Sequence, residues 1–366
     1  MNRRSDQNRV MIIAEAGVNH NGSLQRALDM VDLAAAAGAD IIKFQTFKAK
    51  EVVGRHAPKA EYQKRTTGAA ESQLEMAIKL ELDFKAHLSL KQRCEKRGIG
   101  FLSSPFDLQS LEFLANELQL KCIKLGSGEI TNFPFLLAVA RTGKDIILST
   151  GMSTLSEVED ALGVIAYGYT CTDTPAGNLD VFRAAYASKG GQRVLNEHVS
   201  LLHCTTEYPS DVTDVNLKAM DTMREYFKLP VGLSDHTLGI AIPIAAVARG
   251  ASILEKHFTL DKNLEGPDHT ASLDPDELGA MVSSVRAVEL ALGDGVKQPV
   301  GAEKKNMAIA RRSLMAACEI AKGETFTPEN LTTKRPGTGV SAIYYWNYLG
   351  GIAERDYEED EKVDSR

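Results

Sequence analysis

The chain has 366 residues, of which 43% are hydrophobic and 25% charged, as in ordinary soluble globular proteins of one or two domains. Its net charge of −7 provides no basic surface field, which argues against nucleic acid as a partner. No run of about 18 apolar residues is present and the five cysteines have no paired spacing, so we expect no membrane partner and a reducing, cytoplasmic location.

Strand-like and helix-like patterns alternate along most of the chain. A first helix is expected from the N-cap Ser23 to Gly38. The apolar, strand-like runs are Val10–Ala14, Asp40–Phe44, Gly100–Leu102, Cys122–Leu125, Asp145–Leu148, Val199–Leu202, Leu229–Leu233 and Ser252–Leu254. Further clear helical patterns are Asp107–Leu118, Phe135–Thr142, Thr154–Ala166, Asp214–Phe227, Ile240–Arg249 and Pro275–Leu292. Eight βα units over about 290 residues predict an α/β fold of the (β/α)₈ TIM-barrel type, with an open doubly wound sheet as the alternative.

The composition changes after the last helical pattern. We therefore predict a barrel domain over residues 1–293, a Gly/Pro/Lys linker over 294–305 and a small β-rich domain over 306–366, whose charged end (358–366) is expected to be disordered. Within the barrel, Tyr169–Glu197 is interpreted as an insertion. The long connection Phe47–Gln73 is rich in Lys and Arg; such a segment can cover an anionic ligand, although it is more often a solvated loop.

Two histidines follow the last two strand-like runs. His236 and His257 would emerge at the carboxyl ends of neighbouring parallel strands, where α/β folds place their chemistry. Two imidazoles there can share a divalent ion, with Asp268 or Glu255 as nearby oxygen donors. The alternative is that each histidine caps a strand or forms a hydrogen bond in the core.

Polar residues recur at the carboxyl ends of the other predicted strands. They include two lysines and several hydroxyls, which together suit a phosphate or carboxylate because lysine supplies charge and the hydroxyls supply directed donors. These residues are Glu15, Lys43, Gln45, Ser103, Ser104, Lys124, Ser127, Ser149, Thr150, His203, Thr205, Thr206 and Ser234. The pattern predicts that the barrel mouth binds an anion beside a metal ion.

Several motifs carry a family resemblance. They are IIAEAGVNHNGS, KFQTFKA, SSPFD, IKLGSGEITN, LLHCTTEYP, GLSDHTLG, EKHFTLDKNLEGPDH and KRPGTG. In order and spacing, from about Val10 to Asp356, they resemble the bacterial sialic acid synthase family. Members condense phosphoenolpyruvate with N-acetylmannosamine or a related acetamido sugar and release phosphate. The last domain resembles the family's antifreeze-like (SAF) domain, which implies a domain-swapped homodimer.

The resemblance also implies roles for individual residues. His236 and His257 would hold a divalent metal, for which Mn²⁺ is expected and Mg²⁺ or Co²⁺ are alternatives. Phosphoenolpyruvate would contact Lys43, Ser104, Lys124, Ser127 and Ser149, with Ser234 close by. The sugar would contact Glu15, Gln45, Tyr208 and Asp268, and Arg335 of the partner subunit would reach its acetyl group. Glu15 and His236 are the expected catalytic residues.

The sugar itself stays open at this point. N-acetylmannosamine and diacetamido-trideoxyhexoses, which give legionaminic- or pseudaminic-type acids, are both compatible with the motifs. Two other classes of function also remain: a metal-dependent hydrolase or aldolase, which would not need the two lysines, and a non-catalytic carbohydrate-binding protein, which would not need the metal.

Overall fold

The structure of the chain, a computed structural model, describes residues 9–68, 70–172, 175 and 177–365. It divides into two compact units, Met1–Gly293 and Asp294–Arg366. Among the described residues, no helix combines the length and the apolar character needed to cross a bilayer.

The larger unit contains eight parallel strands. They are β1 (Met11–Gly17), β2 (Ile41–Thr46), β3 (Gly100–Pro105), β4 (Cys122–Leu125), β5 (Asp145–Ser149), β6 (Val199–His203), β7 (Val231–Asp235) and β8 (Ile253–His257). Their hydrogen-bonded order is β3-β2-β1-β8-β7-β6-β5-β4, and β3 also contacts β4. The sheet is therefore a near-closed barrel with its strands in sequential order, as the sequence predicted.

Helices surround this barrel. They are α1 (Leu24–Ala36), α2 (Ala49–Val52), α3 (Glu61–Thr67), α4 (Gln73–Leu80), α5 (Phe84–Arg97), α6 (Leu108–Glu112), α7 (Phe133–Arg141), α8 (Leu155–Thr170), α9 (Leu179–Ala187), α10 (Lys189–His198), α11 (Lys218–Phe227), α12 (Ala241–Ala248) and α13 (Pro275–Leu292). The predicted first helix is confirmed: the Ser23 side chain accepts a hydrogen bond from the Arg26 N–H, and Gly38 follows the helix in the left-handed region at φ 83°.

The barrel interior alternates apolar and polar layers. Ile13, Leu102, Ile147, Leu202 and Ile253 form a buried cluster inside the barrel. Side chains on a strand point to the same face at every second residue, so the residue two positions further along faces the same interior. That residue is polar or sulfur-containing in every case: Glu15, Ser104, Ser149, Cys204 and Glu255. The apolar layer thus supports a polar layer at the carboxyl ends of the strands.

β7 and β8 extend further than the apolar pattern indicated. Their ladder continues through the pairs Ser234 with Glu255 and Asp235 with Lys256. The run of apolar residues ends at Leu233 and Leu254. The side chains that follow are buried as well, but they are polar or charged and are paired through hydrogen bonds and ion pairs, so apolar periodicity does not detect them. His257 is consequently the last residue of β8, and His236 directly follows β7.

The segment interpreted as an insertion contributes to the helical layer. Most of Tyr169–Glu197 forms α9 and α10. Phe182 of α9 is buried and lies edge-on to Tyr167 of α8, with 5.4 Å between the ring centroids. The segment therefore extends the core of the barrel. A second difference concerns the predicted helix Asp107–Leu118, where α6 gives way to a π-helical turn over Phe113–Glu117.

The smaller unit has its own core. It contains α14 (Gly301–Ala310), the antiparallel strands β9 (Ser313–Ala316) and β10 (Leu331–Lys334), and α15 (Tyr345–Tyr348). The predicted linker boundary at residue 305 falls inside α14. The expectation of a disordered end is wrong for the described residues, because Val363 is buried and its N–H donates to the Leu314 carbonyl over 3.1 Å.

Candidate active site

A cavity of about 360 Å³ opens at the carboxyl ends of the barrel strands. Side chains that lie on or just after each of the eight strands line it. Its floor is polar and buried, and one side is formed by the long connection between β2 and α5. This is the position at which (β/α)₈ barrels carry their active sites.

Two lysines and two glutamates form a buried network on the floor. Lys43 Nζ lies 2.7 Å from Glu15 Oε2 and 3.7 Å from Glu255 Oε2. Lys124 Nζ lies 3.4 Å from Glu255 Oε1 and 2.8 Å from Ser149 Oγ. The positive and negative side chains alternate, and their formal charges cancel. An incoming polyanion must therefore displace carboxylates from the lysines or meet a carboxyl that has already become neutral.

The two glutamates of this network differ in acidity. Burial raises the pKa of Glu15 to about 7, because the attraction of Lys43 only partly offsets the loss of solvation. Burial also opposes ionisation of Glu255, but Lys124 and Lys43 together outweigh it and lower the pKa of that carboxyl to about 2. Glu255 thus holds a fixed negative charge between the lysines, whereas Glu15 changes its protonation state near neutral pH.

The two predicted metal ligands face each other across the same cavity. The ring centroids of His236 and His257 are 5.4 Å apart. His236 donates from Nδ1 to the Thr205 carbonyl, which leaves Nε2 with its lone pair, 3.5 Å from Ser234 Oγ. His257 Nδ1 is buried without a hydrogen-bond partner and lies 4.0 Å from Asp268 Oδ2. Burial lowers the pKa of His236 to about 4 and that of His257 well below its usual value, so both imidazoles are neutral.

This donor set fits a divalent cation. Neutral imidazoles are ligands for Mn²⁺ and related ions, and the buried Nδ1 of His257 is a polar atom in need of a partner. Within the described part of the chain, no group of three or more His, Cys, Asp or Glu side chains is arranged as a complete metal site. An ion held by His236 and His257 would therefore keep coordination positions open for a ligand.

Aromatic rings cover the histidines. The Tyr208 ring lies 4.1 Å from His236 and 5.4 Å from His257, measured between centroids. Tyr208 also packs against Tyr62 of α3, with 5.1 Å between their centroids. Through this pair the connection between β2 and α5 reaches across the mouth to the loop that follows β6, and it limits the access of water to the imidazoles.

Comparison with known proteins places this geometry in a family. Residues 30–297 match the model of the NeuB family, and residues 311–363 match the SAF domain. The chain belongs to the NeuB family. It is 50% identical to the N,N'-diacetyllegionaminic acid synthase of Campylobacter jejuni, over 97% of this chain and 99% of that protein. It is 44% identical to the N,N'-diacetyllegionaminic acid synthase of Legionella pneumophila, over 93% and 89%. The crystal structure of the N-acetylneuraminic acid synthetase of Leptospira borgpetersenii superimposes with a TM-score of 0.67 at 34% identity, over 82% of this chain and 90% of that one.

NeuB membership and the SAF match confirm the family resemblance and the fold class. The structure brings most of the predicted site residues of the barrel into one cavity, which is lined by Glu15, Lys43, Gln45, Ser104, Lys124, Ser127, Ser149, Thr206, Tyr208, Ser234, His236, His257 and Asp268. Four other residues predicted at the strand ends do not line it, because their side chains form hydrogen bonds with neighbouring groups of the barrel instead: Ser103, Thr150, His203 and Thr205. Arg335 lies in the smaller unit, where it is exposed and directly follows β10. The roles of these residues in binding and catalysis stay predictions.

The idea that the basic segment covers an anion is wrong for the side chains that the structure describes. Lys48 Nζ pairs with Glu81 at 2.9 Å, and the buried Lys59 pairs with Glu71 at 3.0 Å. None of the described lysine, arginine or histidine side chains of Phe47–Gln73 lines the cavity. Glutamates later in the same connection neutralise these two lysines, and the residues that face the cavity are apolar or neutral.

Two groups were not recognised from the sequence alone. Glu255 was considered only as an oxygen donor for a metal, yet it links both lysines of the floor and accepts from Ser234 Oγ at 2.9 Å. Lys256 pairs with Asp235 at 2.5 Å, and both side chains are fully buried. This pair ties β7 to β8 at the residues that precede the two histidines. The available signal is one charged residue immediately before each histidine, Asp235 in one case and Lys256 in the other, with opposite signs.

The acidity of Glu15 leads to a testable pH dependence. Below about pH 7 the neutral carboxyl leaves Lys43 available to an anion, and above that pH the carboxylate competes with the anion for Lys43. We therefore expect the affinity for phosphoenolpyruvate, measured by calorimetry without sugar, to fall as the pH rises through 7. In Glu15→Gln the part of this fall in affinity that is due to Glu15 should disappear. The ionisation of phosphoenolpyruvate itself affects the wild type and the variant alike. An identical pH profile for the two proteins would contradict the assignment.

Proposed function

We propose that this NeuB-family protein condenses phosphoenolpyruvate with a diacetamido-trideoxyhexose to form N,N'-diacetyllegionaminic acid, with release of phosphate. The observation that carries the proposal is a pair of buried lysines, in ion pairs with two glutamates, beside two neutral imidazoles in one cavity. The similarity to two diacetyllegionaminic acid synthases over nearly the whole chain supports the choice of sugar. A cytoplasmic location is part of the same proposal.

The floor residues suit both halves of the reaction. Lys43 and Lys124, with nearby hydroxyls such as Ser149, neutralise the phosphate and carboxylate of phosphoenolpyruvate. The enol carbon of this substrate attacks the aldehyde carbon of the open-chain sugar and forms the new C–C bond. A water molecule then adds to the carbon that bears the phosphate, and phosphate leaves with cleavage of the C–O bond. Glu15, with its pKa near neutrality, is suited to hold or release a proton during these steps.

The proposal includes a divalent metal ion, with Mn²⁺ as the expected one. His236 and His257 would hold it, and the bound ion would act as a Lewis acid toward the aldehyde oxygen of the sugar. The Thr205 carbonyl fixes the ring of His236, and the aromatic cover of Tyr208 keeps both imidazoles away from bulk water. The reaction is that of a transferase.

An assay of phosphate release tests the proposed function. The protein is mixed with phosphoenolpyruvate and either a diacetamido-trideoxyhexose or N-acetylmannosamine, with and without a chelator. We expect release that requires a sugar, that is faster with the diacetamido sugar and that stops with the chelator. A carbohydrate-binding protein would release no phosphate, and activity that survives the chelator would exclude the metal-dependent route.

We also propose a homodimer in which Arg335 completes the site of the partner subunit. Arg335 is exposed and lies between Lys334 and Pro336, at the end of β10. Subunit exchange between Arg335→Ala and His236→Ala homodimers tests this geometry. In the mixed dimer one barrel keeps its histidines and receives an intact Arg335, so activity should return at about half of the sites. Without such sharing, every site carries one defect and no activity returns.

A further inference from the structure

One side of the cavity is apolar. The connection between β2 and α5 supplies this side. We refer to its six apolar lining residues as the apolar wall: Phe47, Val52, Val53, Met76, Ala77 and Leu80. Phe47, Met76 and Leu80 are buried in a small hydrophobic cluster that fixes their positions. Val52 is 41% exposed and Val53 is half-buried, so these two valines present methyl groups that the protein itself leaves partly uncovered.

The wall is held by polar contacts outside the cavity. The Lys48 N–H donates to Asp107 over 2.8 Å, and the Ala49 N–H donates to Glu81 over 3.0 Å. The Val53 N–H in turn donates to the Ala49 carbonyl over 3.0 Å. These hydrogen bonds fix the backbone from Lys48 to Val53, the stretch that carries the two valines. The methyl groups therefore belong to a preformed surface, which is the condition for selecting a ligand by shape and polarity.

The cavity thus separates charge from apolar surface. The lysines, glutamates and imidazoles stand on or just after the ends of the strands. The connection between β2 and α5 presents no described charged side chain to the cavity; beside the apolar wall it contributes only neutral polar side chains, those of Tyr62, Gln63 and Gln73. With the phosphate, the carboxylate and the aldehyde carbon on the floor, the remote end of the sugar is free to lie against the wall. A hydroxyl placed against valine methyl groups loses its hydrogen bonds to water, whereas a methyl group gains from the same contact.

We propose that the apolar wall, through Val52 and Val53, selects a diacetamido-trideoxyhexose over N-acetylmannosamine. Relative to N-acetylmannosamine, this sugar exchanges one hydroxyl for hydrogen and another for an acetamido group, which adds a methyl group. The exchange of a hydroxyl for hydrogen removes a group that the wall would leave without a partner. The acetamido group adds a methyl group that the wall can cover, while its N–H and C=O require partners elsewhere in the cavity. The inference rests on the proposed function and identifies the residues that set its substrate.

The test compares two sugars in a variant that keeps the shape of the wall. Val52→Thr combined with Val53→Thr retains the branched side chains and adds two hydroxyls. Val181→Thr is the matched control, since Val181 is 40% exposed, lies on α9 and is not part of the cavity lining. The measurements are kcat/KM for each sugar at saturating phosphoenolpyruvate, and KM for phosphoenolpyruvate.

The ratio of interest is kcat/KM for the diacetamido sugar divided by kcat/KM for N-acetylmannosamine. We expect the double variant to lower this ratio by roughly 10-fold. The KM for phosphoenolpyruvate should be unchanged, and Val181→Thr should behave as the wild type. A wild-type preference for the diacetamido sugar that survives in the double variant, or an equal loss for both sugars, overturns the inference and leaves the proposed function standing. A wild-type protein that prefers N-acetylmannosamine overturns the proposed substrate and the inference with it.

Discussion

Alanine in place of His257 or His236 should lower kcat by roughly 1,000-fold or more while the barrel stays folded. Under the proposed function each imidazole would supply one of only two protein ligands, so the loss of either one would remove the ion and its Lewis acidity. The fold should survive because both side chains line an open cavity rather than the packed core. The measurements are steady-state turnover and binding of Mn²⁺ by electron paramagnetic resonance.

His20 provides the matched control for this experiment. It is buried like His236 and His257 but does not line the cavity. His20→Ala should therefore reduce the free energy of unfolding without loss of Mn²⁺ binding. Turnover retained by His257→Ala at full metal supply would contradict the assignment of the metal ligands.

Methionine in place of Lys124 should raise the KM for phosphoenolpyruvate far more than the KM for the sugar. One charge-assisted contact contributes about 1.5–3 kcal/mol, which corresponds to a change of roughly 10- to 150-fold. Lys124 is also a partner of Glu255, so the variant leaves this buried carboxylate with the Ser234 hydroxyl and, as a cation, Lys43 at 3.7 Å. A loss of about 3–5 kcal/mol in the free energy of unfolding is therefore expected as well.

A second variant separates these two effects. Lys124→Met combined with Glu255→Gln removes both charges, so it should recover part of the lost stability while the KM for phosphoenolpyruvate stays high. Lys59→Met is a control, because Lys59 is another buried lysine with a glutamate partner but lies outside the cavity lining. It should affect stability alone. An equal rise in KM for both substrates in Lys124→Met would place the anion site elsewhere.

The sequence was sufficient for those parts of the fold and site that follow from periodicity. An apolar residue such as Ile13 or Ile147 inside a strand implies that Glu15 or Ser149, two positions later, faces the same interior. Because the eight barrel strands are parallel, these polar residues converge at one end of the barrel. The positions of the strand ends thus predict most of the polar residues on the floor of the cavity.

The rest depends on partners that periodicity does not reveal. The basic character of Phe47–Gln73 suggests a cover for an anion. In the structure, Glu71 neutralises Lys59 and Glu81 neutralises Lys48. The part of this connection that faces the cavity is the apolar wall and neutral polar side chains. In the smaller unit, the charge content of the end predicts disorder, but Val363 is buried and Arg355 pairs with both Glu361 and Asp364. Ion pairing and local burial depend on which residues the fold brings together. The residue types within one segment therefore do not reveal them.

Isotope transfer from phosphoenolpyruvate tests the central claim most directly. The protein is incubated with the diacetamido sugar and phosphoenolpyruvate that carries a heavy oxygen isotope in its C–O–P bridge, and the released phosphate is analysed by mass spectrometry. Condensation with C–O cleavage predicts that the phosphate carries the label and forms only when the sugar is present. Unlabelled phosphate, or phosphate released without the sugar, would contradict it.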